Sequence, residues 1–217
     1  SGAEGMTEAV LDLTDYLERA GIVTNDNASG KIRLVLRPDT PHNGFTRTAS
    51  GSGIEIAAAD MKGIWAGIVY LEKELSARRS PIIEAGAISR QPSWNVQISQ
   101  APYGSNYLVP DLSPEFLGDD AFRQLAHAGV NGMTLYGDWL CYVRSDIFPE
   151  LNSADYERNI ATLKDAVGRA KKYGVSLFYV PVSPKLAADH PLFARHPGAK
   201  GALIVPGQSD VRIHNLC

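Results

Sequence analysis

The run VSLFYVPVS at 175–183 constrains this chain more than any other stretch. It is apolar at almost every position, so it reads as a strand buried on both faces, the pattern of a parallel sheet. What precedes it agrees. Asn152 is placed to cap a long helix in which Tyr156, Ile160, Leu163 and Val167 repeat at helical spacing, and Tyr173-Gly174 ends it. Upstream, VNGMTLYG (130–137) is a short apolar strand, SPEFLGDDAFRQLAHAG (113–129) holds a helix stopped at Gly129, and WNVQISQ (94–100) is an earlier strand. Strand, helix, strand, helix, strand with crossovers of this length demands parallel pairing, in either a barrel or a doubly wound sheet.

The preceding part has another rhythm. TEAVLDLTDYLERA (7–20) puts Val10, Leu13, Leu17 and Ala20 on one helical face before Gly21. KIRLVLR (31–37) alternates Ile32, Leu34 and Leu36 against Lys31, Arg33 and Arg37, as a half-buried strand does. FTRTASGSGIEIAAAD (45–60) holds two more strands about a Ser/Gly turn at 50–53. In MKGIWAGIVYLEKEL (61–75), Ile64, Ile68, Leu71 and Leu75 form one stripe, with Gly63 and Gly67 for close packing. This order predicts a small α+β domain, an antiparallel sheet with two helices on one face. PIIEAG and AISRQPSW close it, and Pro92 is a natural boundary, so the expected domains are 1–91 and 92–217.

Composition narrows the partners. The 217 residues are 44% hydrophobic and 21% charged, with a net charge of −3 and no Lys/Arg block. Nucleic acid and anionic membrane are therefore not expected partners. No apolar run approaches the roughly 20 residues of a membrane helix, and no secretory signal opens the chain. Cys141 and Cys217 could pair or stay free. No Gly-x-Gly-x-x-Gly, Walker or Gly-x-Ser-x-Gly sequence is present, GSG at 51–53 reads as a hairpin turn, and no cofactor is implied.

The strand at 130–137 does not end in small polar residues but in Tyr136, Gly137, Asp138 and Trp139. Side chains at the carboxyl ends of barrel strands build the active site. Aromatic faces beside a carboxylate suit a sugar, whose C–H faces stack on rings while its hydroxyls hydrogen-bond. The alternative is that Tyr136 and Trp139 fill space under a loop and Asp138 caps or pairs locally. Asn95, Gln97 and Gln100, with Tyr103 and Asn106 beyond, give the earlier strand a polar end, or else belong to a barrel's polar interior. The loop at 99–114 is long, as functional βα loops are. His190 and His196 sit six apart, each followed by proline, which suits turns and a sugar contact rather than a metal site.

These stretches carry a resemblance. GIEIAAADMKGIWAGIVYLEKEL, through Gly53, Ile54, Ile56, Asp60, Gly63, Gly67 and Leu71, resembles the small N-terminal domain of family 20 glycoside hydrolases, the chitobiases and β-N-acetylhexosaminidases. The same small domain precedes the barrel of α-glucuronidases. PSWNVQISQ, LAHAGVNGMTLYGDW and AKKYGVSLFYVPVSPKL resemble the first three barrel strands, and HPLFARHPGAKGALIVPG the loop after the third. Where hexosaminidases carry an Arg-Gly pair and an aspartate on the first strand, this chain reads Trp94-Asn95-Val96-Gln97. Where their second strand ends in a His-containing segment and paired aspartates, it reads Tyr136-Gly137-Asp138-Trp139.

The resemblance implies the small α+β domain followed by the first part of a TIM (β/α)8 barrel, within a hydrolase of glycosidic bonds by acid-assisted cleavage. A glycan-binding module of the same architecture is the alternative. Oligosaccharide or glycoside is the implied partner, contacted by Tyr136, Asp138, Trp139, Asn95, Tyr103 and His190. The family's catalytic Asp-Glu pair follows the fourth strand, beyond Cys217, so no catalytic residue is assigned and the chain alone is expected to be inactive. Further barrel sequence or a second chain is expected to cover the open sheet, and the resemblance favours an extracellular or periplasmic setting.

Overall fold

The computed structural model describes residues 2–25, 27–100, 112–182, 185–203 and 213–216. The chain packs as two units, one of residues 1–99, 114–133 and 166–177 and the other of 100–113, 134–165 and 178–217.

The first unit holds a four-stranded sheet of β1 (Lys31–Leu36), β2 (Phe45–Ser50), β3 (Gly53–Ala58) and β4 (Gly86–Arg90), in the order β1-β3-β2-β4. β2 runs antiparallel to β3, as the sequence led us to expect, and to β4, a strand the sequence did not point to, while β1 joins β3 in parallel rather than antiparallel. The turn chemistry explains the difference. Ser50 and Gly53 pair directly, so Gly51 and Ser52 form a two-residue hairpin that gives one edge of β3 to β2. β1 takes the other edge, and the Arg37 N–H secures its end on the Ala58 carbonyl at 2.7 Å.

Helix α1 is Gly2–Arg19 and α2 is Met61–Arg78. The Asp60 carboxylate caps α2, accepting from the Gly63 N–H at 2.9 Å and, from the preceding loop, the Asn43 N–H at 2.9 Å. α2 then lies on the sheet through Ile64, Ile68, Leu71 and Leu75, all buried, against Phe45, Ile56 and Ala58. α1 packs against α2, but not with the expected stripe. Gly5, Ala9, Leu13 and Leu17 face inward, while Val10 is 49% exposed and Ala20 is also exposed. Small residues at Gly5 and Ala9 let the first turns approach closely: a Cβ on Gly5 would stand 2.9 Å from the Lys172 carbonyl oxygen. In the middle of β2, Arg47 is 2% exposed and grips the Glu74 carboxylate with bonds of 2.7 and 2.9 Å.

Next come β5 (Ile98–Gln100), α3 (Asp119–His127), β6 (Gly132–Asp138), α4 (Tyr156–Lys172) and β7 (Ser176–Val182). The strands lie in the order β5-β6-β7, with a helix between each successive pair. Four expectations are corrected. The first strand is only Ile98–Gln100; residues 93–95 are bends, and the Gln97 carbonyl just before the strand accepts the N–H groups of both Asn131 and Gly132. Asn152 does not cap α4: its amide exchanges two hydrogen bonds with the Ser145 backbone, at 2.7 and 3.1 Å. On α4 the buried positions are Asn159, Ala166, Arg169 and Ala170, and Val167 is 46% exposed. β7 is half-buried rather than enclosed, with Phe178 at 37% exposure; among the described residues only β6 pairs with it.

The second unit ends in an antiparallel sheet of β8 (Lys185–Ala187), β9 (Lys200–Leu203) and β10 (Ile213–Leu216), in the order β8-β10-β9. The HPLFARHP stretch contains a short helix, α5 (Pro191–Arg195), whose Leu192 and Phe193 pack with Leu140 and Leu186. None of the described sheets closes into a barrel.

Candidate functional site

Alternation along β6 sorts its side chains between two faces. Met133 and Leu135, each 1% exposed, occupy one. Thr134, Tyr136 and Asp138 occupy the other, and Asp138 is the strand's last residue. Its carboxylate is buried, at 8% exposure, and Oδ1 accepts the Leu140 N–H at 2.9 Å. That bond opens a single 3-10 turn, Trp139–Cys141, which redirects the chain at the strand end. Local capping and a place at the strand's carboxyl end are thus combined in one residue.

The turn delivers Tyr142, which the sequence did not single out, to a second such group, Tyr179. Tyr142 meets Tyr179 of β7 edge to face, ring centroids 5.3 Å apart and planes at 78°. Burial first, then the neighbouring Cys141, pushes the Tyr142 phenol up to about 12. Tyr179 is also raised, by burial and then by Tyr142, Cys141 and Asp138. The Cys141 thiol is raised by burial and by the fields of Asp138 and Asp155, so it is held as a protonated, weakly nucleophilic group. Asn159 of α4 donates to the Cys141 carbonyl at 3.2 Å and fixes the turn. The hydroxyls of Thr134 and Tyr179 are buried without a hydrogen-bond partner among the described residues. Chemically, this is a carboxylate beside neutral phenols and ring faces, suited to orienting a polyhydroxylated ligand rather than to covalent or redox chemistry.

The remaining candidates are dispersed. Tyr136 is half-buried on the Asp138 face of β6. Trp139 contributes its backbone to the 3-10 turn, and its side chain lies outside the described residues, as do Tyr103 and Asn106. Asn95 belongs with Asn131, which precedes β6, whereas Asp138 ends it. The Asn95 carbonyl accepts from the amides of Asn43 and Asn131, both at 3.0 Å. His190 caps α5, its Nδ1 accepting the Leu192 N–H at 3.2 Å, with its ring 6.4 Å from that of Phe193. Periodicity could have pointed to Tyr179, an aromatic near the end of an apolar strand; nothing local pointed to Tyr142.

No family model and no curated protein sequence matches this chain. Solved structures do resemble it. A family 138 glycoside hydrolase that targets pectin rhamnogalacturonan II superposes with a TM-score of 0.69 at 17% identity, over 94% of this chain and 26% of its own. A family 20 β-N-acetylglucosaminidase gives 0.54 at 16% identity, over 93% of this chain and 41% of its own. The β-N-acetylhexosaminidase of Bacteroides fragilis gives 0.53 at 13% identity, over 96% and 43%. The fold is one that glycoside hydrolases carry. The chain spans between 26% and 43% of the length of these three enzymes, and its mixed α/β architecture is similar to the N-terminal domains of family 20.

Proposed function

We propose that this chain is the small α+β domain, ending near Pro92, and the opening strands of a glycoside hydrolase barrel, and that Asp138 and Tyr136 contact a carbohydrate. The observation that carries the reading is the position of Asp138: last residue of β6, on the face opposite buried Met133 and Leu135, beside phenols kept neutral by burial. Glycosidic hydrolysis needs two carboxyls about 5–10 Å apart across the bond. Asp138 already accepts a backbone hydrogen bond, so its role is to hold a sugar hydroxyl, with the acid and its partner supplied from elsewhere in the enzyme.

Binding of the 217-residue chain to a panel of oligosaccharides, including pectic and N-acetylglucosamine-containing glycans, tests this. Asp138→Asn keeps the oxygen that accepts the Leu140 N–H while removing the charge. We expect it to weaken glycan binding by at least about tenfold, the loss of one charge-assisted hydrogen bond of about 1.5–3 kcal/mol. Binding unchanged in both Asp138→Asn and Tyr136→Ala would refute the assignment.

A further inference from the structure

Three helices of the first unit bring two carboxylates and an imidazole to one point. Asp12 lies on α1, Glu72 on α2, and His127 is the last residue of α3. The two acidic side chains are 7% and 10% exposed, and the imidazole 34%. His127 Nε2 stands 2.9 Å from Asp12 Oδ2, and Nδ1 stands 3.4 Å from Glu72 Oε2. One possible ligand atom from each residue lies within 4.8 Å of the other two. A second observation points the same way: Glu72 Oε1 is buried and has no hydrogen-bond partner among the described residues.

Two carboxylates buried this close repel each other and lose hydration, and a single imidazolium neutralises only one of them. Arg123 is 41% exposed and stands 3.7 Å from Asp12 Oδ1, and its closer ion pair, at 2.9 Å, is with Asp120. A divalent cation restores the balance, since two carboxylates and a neutral imidazole then make a site of zero net charge. Bonds of about 2.0–2.2 Å to each donor place the donors roughly 3.3 Å apart in a tetrahedron. The ion takes one ring nitrogen of His127 in place of its proton, so one carboxylate leaves the nitrogen it now faces to join the other. An open groove of about 630 Å3, lined by Asp12, Tyr16, Glu72, Arg123 and His127 among others, gives the ion entry and gives water the remaining coordination position.

We propose that Asp12, Glu72 and His127 bind a divalent transition-metal ion, zinc or a first-row neighbour, which clamps α1, α2 and α3 together. The imidazole donor selects such ions over magnesium and calcium, which take oxygen ligands. The proposal does not rest on the carbohydrate reading, and either can fail without the other.

The test is calorimetric titration of the chelator-treated chain with Zn2+, followed by thermal melts with Zn2+ or Mg2+. We expect one Zn2+ per chain and a Tm that rises with Zn2+ concentration by mass action, with no rise in Mg2+. Glu72→Gln and His127→Gln should each weaken binding by at least about tenfold, the range that losing even an outer-sphere partner costs. Arg123→Gln should tighten it, because a competing cation leaves Asp12. Absence of Zn2+ binding, or binding equal in wild type and in both weakened variants, overturns the proposal. Should those variants not fold, Co2+ added to the unaltered chain decides. Paramagnetic broadening of the His127 ring protons supports the site, and broadening only at His190 or His196 overturns it.

Discussion

Glycine to alanine in the interior of a helix ordinarily stabilises a protein by about 1 kcal/mol, because alanine has less backbone freedom to lose. In this chain the same change should have opposite signs on two helices. A Cβ on Gly63 of α2 would stand 2.1 Å from the Gly44 carbonyl oxygen and 2.7 Å from the Ala58 Cβ. The obstacle is backbone, so the carbonyl must retreat by about 1 Å, and overpacking of this kind costs about 1–3 kcal/mol. On Gly67 the Cβ would stand 2.4 Å from Ile56 Cγ2, a methyl group that can partly yield. Against these, a Cβ on Gly168 of α4 meets nothing within 4 Å. Gly63→Ala is therefore expected to destabilise by about 2 kcal/mol net, Gly67→Ala by about 1, and Gly168→Ala to stabilise by about 1. For a chain of this size that corresponds to Tm shifts of about 2–4 °C per kcal/mol. Urea denaturation followed by circular dichroism gives the three midpoints. If Gly63→Ala raised the midpoint as Gly168→Ala does, the claim that α2 is seated on the sheet through its glycines would be wrong.

Glu74→Gln leaves the Arg47 guanidinium, 2% exposed, without its counter-charge and should cost about 3–5 kcal/mol, whereas Arg47→Met with Glu74→Leu together should recover most of it; a loss under about 1 kcal/mol for the single change refutes the buried pair. His127, pushed up to about 9 chiefly by its hydrogen bonds to Asp12 and Glu72, has a folded value above its unfolded value of 6.5. Its contribution to stability is thus fully present below about pH 6.5 and lost as pH rises through about 9. In chelator, the stability gap between wild type and His127→Gln should shrink across that window, and a pH-independent gap would contradict it. The Cys141 thiol, raised by burial and by Asp138 and Asp155, should react with a disulfide reagent at about pH 8 more slowly in the folded chain than in urea; equal rates would show it exposed.

Much of α2 was legible because its signals are local: Ile64, Ile68, Leu71 and Leu75 repeat at helical spacing, Asp60 precedes the helix, and Gly63 and Gly67 are its small residues. The hairpin of β2 and β3 was legible for the same reason, since Ser50 and Gly53 flank the turn that sets its register. Other features depend on partners distant in the chain. On α1, hydrophobicity favoured Val10, but close approach to Lys172 favoured Gly5 and Ala9, and packing distance decided. The parallel seat of β1 follows from which edge of β3 remained open, which no strand's own pattern encodes. At the candidate site, the strand end at Asp138 could be read from the alternation of β6. Tyr142 could not, because it reaches Tyr179 only after a 3-10 turn has redirected the chain.

The buried polar groups of this chain separate by whether their hydrogen-bonding capacity is met. Folding tolerates a buried carboxylate or guanidinium when its partners repay the lost hydration, and such groups need no ligand to explain them. Asp60 holds two backbone N–H groups and stands 2.7 Å from the His42 imidazole, so it is part of the scaffold. His190 and Asn95, attractive in the sequence, fall into the same class, the first as a helix cap and the second as a carbonyl acceptor. Glu72 and Tyr179 are different. Each keeps an oxygen buried without a donor or acceptor among the described residues, Glu72 beside Asp12 and His127, Tyr179 beside Tyr142. An unmet polar atom of this kind costs about 1–3 kcal/mol, a penalty that a bound ion at the first and a bound hydroxyl at the second would each relieve.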